Sequence, residues 1–311
     1  MPVGSRRPAS LLLAVVLAVS GCSASASPPR SSTSSLPSPS LSIGPSVSPS
    51  ASPSVRPSPT AVPIPSAAPT PIPVATGCSA GNRVPAGERE IIGTAPNAGD
   101  AMALTFDMGG RLDPALEIMA FLVDNHVCAT LFPTGAMSQT ETGQAVLAVV
   151  AAHPELFELG NHTMHHCNLR DGGQGSPTTA PCVTNGPPSA DFIAAELTDA
   201  AAVLEAGSGQ HPAPYWRPPY GAYNEGVLST VADLGYTKTI MWSIDTIDWR
   251  PIADGGPNAE QIATGVVTSA SGGSIVLMHL GGYETLAALA LMVPSLRERG
   301  LLLTSVSDLL N

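Results

Sequence analysis

From residue 101 to the C-terminus, short apolar runs alternate with longer stretches in which apolar residues recur every three or four positions. Runs of about four to eight residues suit buried strands, and a recurrence near 3.6 suits helices with one face on a core. MALTFD (102–107) therefore predicts a strand and DPALEIMAFLVDN (113–125) a helix. VCATLFP predicts a strand, TGQAVLAVVAAH a helix, and LFELGNH (156–162) a strand that runs into a histidine cluster. A helix over 190–206, a strand near Tyr215 and Trp216, and a helix over 224–234 follow. YTKTIMWSID predicts one strand, NAEQIATGVVTSA a helix, GSIVLMH a strand, TLAALALMVPSLRER a helix and LLLTSV a last strand. Repeated strand–helix units argue for an α/β fold with a parallel sheet covered by helices, either a closed barrel or a doubly wound sheet. Asp107, His162 with His166, Asp245 with Asp248, and His279 all fall at C-terminal ends of predicted strands. That is the end at which barrel active sites are built.

The first 76 residues follow neither period. Arg6 and Arg7 precede an apolar run from Leu11 to Val19, which is too short to span a membrane and reads as a secretory signal. Small residues before Cys22 resemble a bacterial lipobox, which would make Cys22 a lipidated N-terminus and 1–22 its signal; the alternative is an ordinary signal peptide cut a few residues later. Residues 23–76 are Ser, Pro, Ala and Thr, and half of the 32 prolines lie at or before Pro73. Such a segment buries too little apolar surface to offset its chain entropy and is expected to be a disordered tether. At about 3.1 Å per residue it would reach at most on the order of 170 Å, enough to project a domain from a membrane into a surrounding wall.

Residues 77–311 then form one domain carrying nine basic and 24 acidic residues, net −15. Such a surface excludes nucleic acid as a partner, and a monomer is expected. Beyond Cys22 stand Cys78, Cys128, Cys167 and Cys182. An even number in an exported protein suggests disulfides, and Cys167 with Cys182 would close a loop rich in turn residues. Cys78 and Cys128 either pair with each other or leave Cys128 as a buried thiol.

Five segments bring the polar positions into one ordered set: TFD (105–107), HTMHH (162–166), RPPYGAY (217–223), DTIDW (245–249) and LMH (277–279). In this order they resemble the five motifs of the polysaccharide deacetylase family, the NodB-homology members of carbohydrate esterase family 4, over roughly residues 101–311. The resemblance implies a distorted (β/α) barrel and a hydrolase, and the lipobox and tether add the expectation that it is exported and lipid-anchored. Its reaction would be removal of N-acetyl groups from a cell-wall polysaccharide, with peptidoglycan N-acetylglucosamine or N-acetylmuramic acid favoured. It implies Asp107 as general base, His279 as general acid, Arg217 holding Asp107, and Asp248 orienting His279. It further implies the Tyr220 amide as oxyanion donor, Tyr220 and Trp249 against the sugar, and His162 with His166 on a divalent metal, zinc by donor type. Amide hydrolysis needs these parts: an activated water, a stabilised oxyanion and a proton for the departing amine. Trp242, inside a predicted strand, is assigned to the core, and His126, His153, His165 and His211 to structural roles.

One position departs from the family pattern. Where most members carry a second Asp that binds the metal, this chain has Met108, a weak ligand for a hard or borderline ion. Metal affinity is expected to fall, and restoring the carboxylate to raise it at least tenfold. Three readings follow: an enzyme with a weakly held metal, a metal-independent amidohydrolase using Asp107 and His279 alone, or a wall-tethered sugar-binding domain.

Overall fold

The computed structural model describes residues 78, 83–175, 181, 182 and 185–311. Cys22, the signal segment 1–22 and the tether 23–76 lie outside the described residues. Among the described residues nine strands are formed: β1 (Glu90–Ile92), β2 (Ala101–Met108), β3 (Ala129–Pro133), β4 (Phe157–Leu159), β5 (Tyr215–Trp216), β6 (Lys238–Ile240), β7 (Ile244–Asp245), β8 (Ile275–His279) and β9 (Leu302–Thr304). Between and after them run α1 (Ala115–Asp124), α2 (Gly135–Ser138), α3 (Glu141–Ala152), α4 (Ala190–Ser208), α5 (Glu225–Asp233), α6 (Ala259–Ser269), α7 (Thr285–Glu298) and α8 (Val306–Leu310). Helix starts follow side-chain caps: Thr140, Ser189, Asn224 and Ser305 each accept a backbone N–H of the first turn, and Asn258 with Gln261 forms a capping box.

Every strand pair is parallel. One sheet has the order β4-β3-β2-β8-β7, with β9 beside the start of β2, and a smaller one the order β1-β6-β5. The two are joined twice. Asn161, just past β4, bridges to β5 through its N–H to Tyr215 O (3.0 Å) and its carbonyl to Arg217 N–H (2.9 Å). At the other junction Met241 N–H bonds Ile92 O (2.7 Å) while Ser243 N–H bonds Ile275 O (2.9 Å). The hydrogen-bonded ring is thus that of a distorted barrel, the first of the two topologies expected. The second junction also corrects one element: YTKTIMWSID is not a single strand but breaks at Met241–Ser243, where the chain passes from one sheet to the other. β1, α2 and α8 were not foreseen, each being too short to show a period.

Side-chain alternation along β2 sorts the core. Met102, Leu104, Phe106 and Met108 pack with Ile118, Met119 and Leu122 of α1 and with Leu289 and Met292 of α7. Ala103 instead joins Phe132, Tyr215, Ile240 and Ile275. Thr105 and Asp107 share its side of the strand by the period of two, the side turned to the barrel interior. Each fully buried apolar side chain of this kind stabilises by about 1.5–3 kcal/mol. Cys78 pairs with Cys128 and Cys167 with Cys182, so Cys128 is not a free thiol.

Candidate active site

β2 and β8 pair in parallel with Asp107 opposite His279. Partners across a parallel ladder point to the same face, so the register alone puts a carboxylate and an imidazole side by side at the strands' C-terminal ends. Asp107 is 5 % exposed and would protonate if left alone there. It is held by Arg217, whose Nη1 donates to its Oδ1 at 2.7 Å. The guanidinium is itself fully buried, donating through Nε to Ile240 O (2.9 Å) and Nη2 to Thr105 Oγ1 (2.9 Å), and it lies 4.2 Å from the Phe132 ring centroid. Burial pushes the Asp107 carboxyl up, but Arg217 and the neighbouring imidazoles outweigh it and hold the pKa below its ordinary value. Burial pulls the Arg217 pKa down against the pull of Asp107.

His162 Nδ1 is 2.9 Å from the carbonyl of Arg217. A carbonyl can only accept, so the proton sits on Nδ1 and Nε2 presents a lone pair. That Nε2 is buried, has no hydrogen-bond partner among the described residues, and lies 3.4 Å from Asp107 Oδ2. Burial lowers the His162 pKa more than Asp107 raises it. A neutral imidazole lone pair facing a carboxylate oxygen is a place for a cation. His166 stands edge-on to His162 at 4.7 Å between ring centroids, and burial pushes its pKa down to about 3. Its Nδ1 is 3.0 Å from Tyr220 Oη, so both rings have an outer partner that fixes their orientation, as metal-binding histidines do. Gly109 makes this packing possible, since a Cβ there would stand 2.7 Å from His166 Nε2. The two imidazoles therefore suit a divalent ion. Among the described residues no group of three His, Cys, Asp or Glu side chains is arranged to hold one. Met108 is 1 % exposed within the apolar cluster and supplies no carboxylate.

His279 is paired with Asp248, Nδ1 to Oδ1 at 2.7 Å. Asp248 is buried and its Oδ2 accepts the His279 backbone N–H (2.9 Å) and the Thr285 hydroxyl. Burial pulls the His279 pKa down, yet Asp248, with Asp107 and Asp245 behind it, raises it above its ordinary value. The loop that aims Asp248 inward is strained: Ile247, a β-branched residue, has φ +55°, and its N–H bonds Asp245 Oδ1 (2.9 Å). Tyr220 also has positive φ (+60°), in a turn whose two hydrogen bonds, Gly221 N–H to Pro218 O and Ala222 N–H to Pro219 O, do not use the Tyr220 amide.

These groups border a cavity of about 620 Å³ whose lining includes Asp107, His166, Tyr220, Trp249 and His279. His162, Arg217 and Asp248 stand behind that wall: Arg217 bonds Asp107, Asp248 bonds His279, and His162 bonds the carbonyl of Arg217. Trp242 is corrected: it sits at the break between β6 and β7, is partly exposed and lines the cavity. Arg111, Gln174, Asp245 and Tyr283 also line it and were not assigned sites; all lie just past strand ends or in the 167–182 loop, which was the available signal. His165 bonds Glu196 (Nδ1 to Oε1, 2.6 Å) and pins the histidine loop to α4.

A model of the polysaccharide deacetylase family matches residues 94–239. A peptidoglycan-N-acetylglucosamine deacetylase of Bacillus cereus is 30 % identical over 220 residues, covering 69 % of this chain and 90 % of that protein. A chitooligosaccharide deacetylase of Sinorhizobium fredii is 26 % identical over 233 residues, covering 70 % and 96 %. Among solved structures, a carbohydrate esterase family 4 pseudoenzyme from Bacillus anthracis superposes with a TM-score of 0.57 at 26 % identity, over 72 % of this chain and 70 % of that one. A mutant of a pseudoenzyme of that family, described as having restored enzymatic activity, superposes equally well, with a TM-score of 0.57. Coverage of this extent, with the five motifs around one cavity, places the chain in the polysaccharide deacetylase family.

Proposed function

We propose that the protein hydrolyses N-acetyl groups of a cell-wall glycan, with N-acetylglucosamine or N-acetylmuramic acid of peptidoglycan as the reacting sugar. The observation that carries this reading is the oppositely tuned pair Asp107 and His279, side by side on β2 and β8 and facing one cavity. Asp107, kept ionised by Arg217, takes a proton from water as its oxygen attacks the acetyl carbon. The oxyanion that forms is met by the Tyr220 amide. His279, kept protonated by Asp248, gives its proton to the sugar nitrogen as the C–N bond breaks, leaving acetate and a free amine. Tyr220 and Trp249 offer ring faces to the sugar. His162 and His166 would hold a divalent ion, zinc by their nitrogen donors, which when bound supplies Lewis-acid polarisation and lowers the pKa of bound water. With only two such ligands its affinity is weak.

The same proposal places the domain, residues 77–311, outside the cytoplasm as a monomer, tethered through 23–76 to a lipid on Cys22. The test is acetate release from peptidoglycan and from N-acetylglucosamine oligomers by metal-stripped protein, with and without Zn²⁺. Zinc-dependent release supports the histidine site, and zinc-independent release makes Asp107 and His279 sufficient. No release by folded protein under either condition would leave a wall-tethered sugar-binding domain.

A further inference from the structure

Nine basic residues serve a domain of net charge −15. Eight of them donate a hydrogen bond to a carboxylate or a backbone carbonyl. Arg250 does neither among the described residues; it is exposed, with its guanidinium 4.9 Å from the centroid of the Trp249 ring. Trp249 is 49 % exposed and lines the active-site cavity. Arg111 repeats the arrangement, 4.5 Å from the centroid of Tyr283, which also lines the cavity and is 44 % exposed. The two stacks are neighbours, because Tyr283 N–H bonds Asp248 O at 2.9 Å, one residue before Trp249. Arg111 is braced by Gly281 O (3.0 Å) and by Asp113, whose 80 % exposure leaves that ion pair screened by water.

The geometry points to a carboxylate-binding subsite on the cavity rim, formed by Arg250 and Arg111 on their aromatic platforms, which selects acidic amino-sugar polymers over neutral ones. It rests on the cavity being a glycan site and adds what the glycan carries. An aromatic face accepts the apolar side of a sugar, while a stacked guanidinium offers in-plane N–H groups to a carboxylate, a geometry lysine lacks; the Arg250 fork has no hydrogen-bond partner among the described residues, and Arg111 shares its own with Gly281 O and Asp113. On a surface whose net acidity repels an anionic polymer, the two arginines are cationic groups at the place where the chain must enter, with Asp113 on Arg111 and Asp245 in the cavity lining beside them. The carboxylate has two sources in a wall glycan: a lactyl ether on the sugar, or a stem peptide attached to it. The sugar-borne group is favoured because the platforms adjoin His279: Tyr283 N–H bonds Asp248 O, Trp249 follows Asp248 in the chain, and Asp248 Oδ1 bonds His279 Nδ1.

The experiment compares three ligands on the full chain: a neutral β-1,4 N-acetylglucosamine tetrasaccharide, a tetrasaccharide with lactyl carboxylates on alternate sugars, and the latter with stem peptides. Dissociation constants come from calorimetry or NMR titration, and kcat and KM from acetate release. Wild type is expected to bind the lactyl-bearing glycan at least tenfold more tightly than the neutral one, and to lose that preference in 0.5 M salt. Arg250→Gln should cut the preference at least threefold through KM rather than kcat, and Arg111→Lys, which keeps the charge but not the fork, should also reduce it. Preference that appears only with stem peptides assigns the peptide as the source. Equal binding of all three by wild type, or an unchanged preference in Arg250→Gln, overturns the proposal. Selective binding without acetate release keeps the subsite and defeats the deacetylase reading instead.

Discussion

Asp248→Asn isolates the electrostatics of His279, the proposed acid. In the native chain burial alone would depress the His279 pKa, and Asp248 at 2.7 Å reverses the sign. A carboxylate so placed shifts a neighbour by about 1–3 units, and each unit is about 1.4 kcal/mol. Asn keeps the shape of the site but changes more than charge. If its oxygen stays on the His279 amide and the Thr285 hydroxyl, its NH₂ faces His279 Nδ1, which must then accept and hold its proton on Nε2 as a neutral ring. Both effects remove imidazolium. Under the proposed mechanism the alkaline limb of kcat/KM is set by His279 losing its proton, so it should move down by about 1–2 units, lowering kcat/KM about 10–100-fold above both values. Below both values the loss should be small. The stability sign is the same: a raised folded-state pKa stabilises below the unfolded value near 6.5 and fades as pH rises through the folded value, so the variant loses stability mainly on the acid side. NMR titration of the His279 ring measures the shift without activity. A His279 titration unchanged to within about 0.3 unit would falsify the assignment of Asp248 as its electrostatic partner.

Four further outcomes follow from the same geometry. Arg217→Lys keeps a charge but cannot reach Asp107, Thr105 Oγ1 and Ile240 O together, so the Asp107 pKa should rise and carry the acid limb of kcat/KM upward; an unmoved acid limb would show that the base is elsewhere. Met108→Asp should lower the melting temperature of the metal-free protein by about 5–15 °C, since a fully buried apolar side chain packed with α1 and α7 is replaced by a carboxylate; zinc tightened about tenfold in equilibrium dialysis would mean that the end of β2 turns that carboxylate toward His162 and His166, and unchanged affinity that it stays with the apolar cluster. Cys167→Ser with Cys182→Ser should alter the preference between peptidoglycan and chitin-type oligomers more than the fold, because Gly175 of that loop donates to Tyr220 Oη at 3.3 Å; wild-type kinetics in a folded double variant would sink the idea. Metal-free protein should lose stability as pH falls from about 6.5, where unfolded His166 takes a proton, down to its folded value of about 3; a flat melting temperature across that range would mean that the ring is not buried neutral.

Much of the site was legible because its residues sit where two periodic signals end. The strand run MALTFD stops at Asp107 and GSIVLMH at His279, so pattern alone placed these two residues at strand termini. Their adjacency was not legible, since β2 and β8 are separated by most of the domain and only the register of the ladder brings them together. Trp242 was misjudged for a related reason. Its run reads as one strand, but a strand that changes sheets exposes at the break a residue that continuous pairing would bury. The arginine platforms left no pattern at all: an arginine next to a tryptophan in sequence stacks on it only if the loop turns, and this loop turns because Ile247 adopts φ +55°.

Arg217 ties these parts together more closely than its motif suggests. Its side chain fixes Asp107, its carbonyl fixes the tautomer of His162, and its N–H closes the barrel onto Asn161. One residue therefore sets the charge of the base and the lone-pair direction of a candidate metal ligand, and joins the two sheets on which they stand. The arrangement is stable only while the site keeps its net charge, because a buried guanidinium without Asp107 would leave an unpaired charge in the barrel, at a cost of several kcal/mol. Position 108 stands apart from this set. Met108 lies among apolar side chains and shares no hydrogen bond with Arg217, so an apolar residue there leaves the Asp107–Arg217 pair, on which the proposed proton chemistry rests, undisturbed.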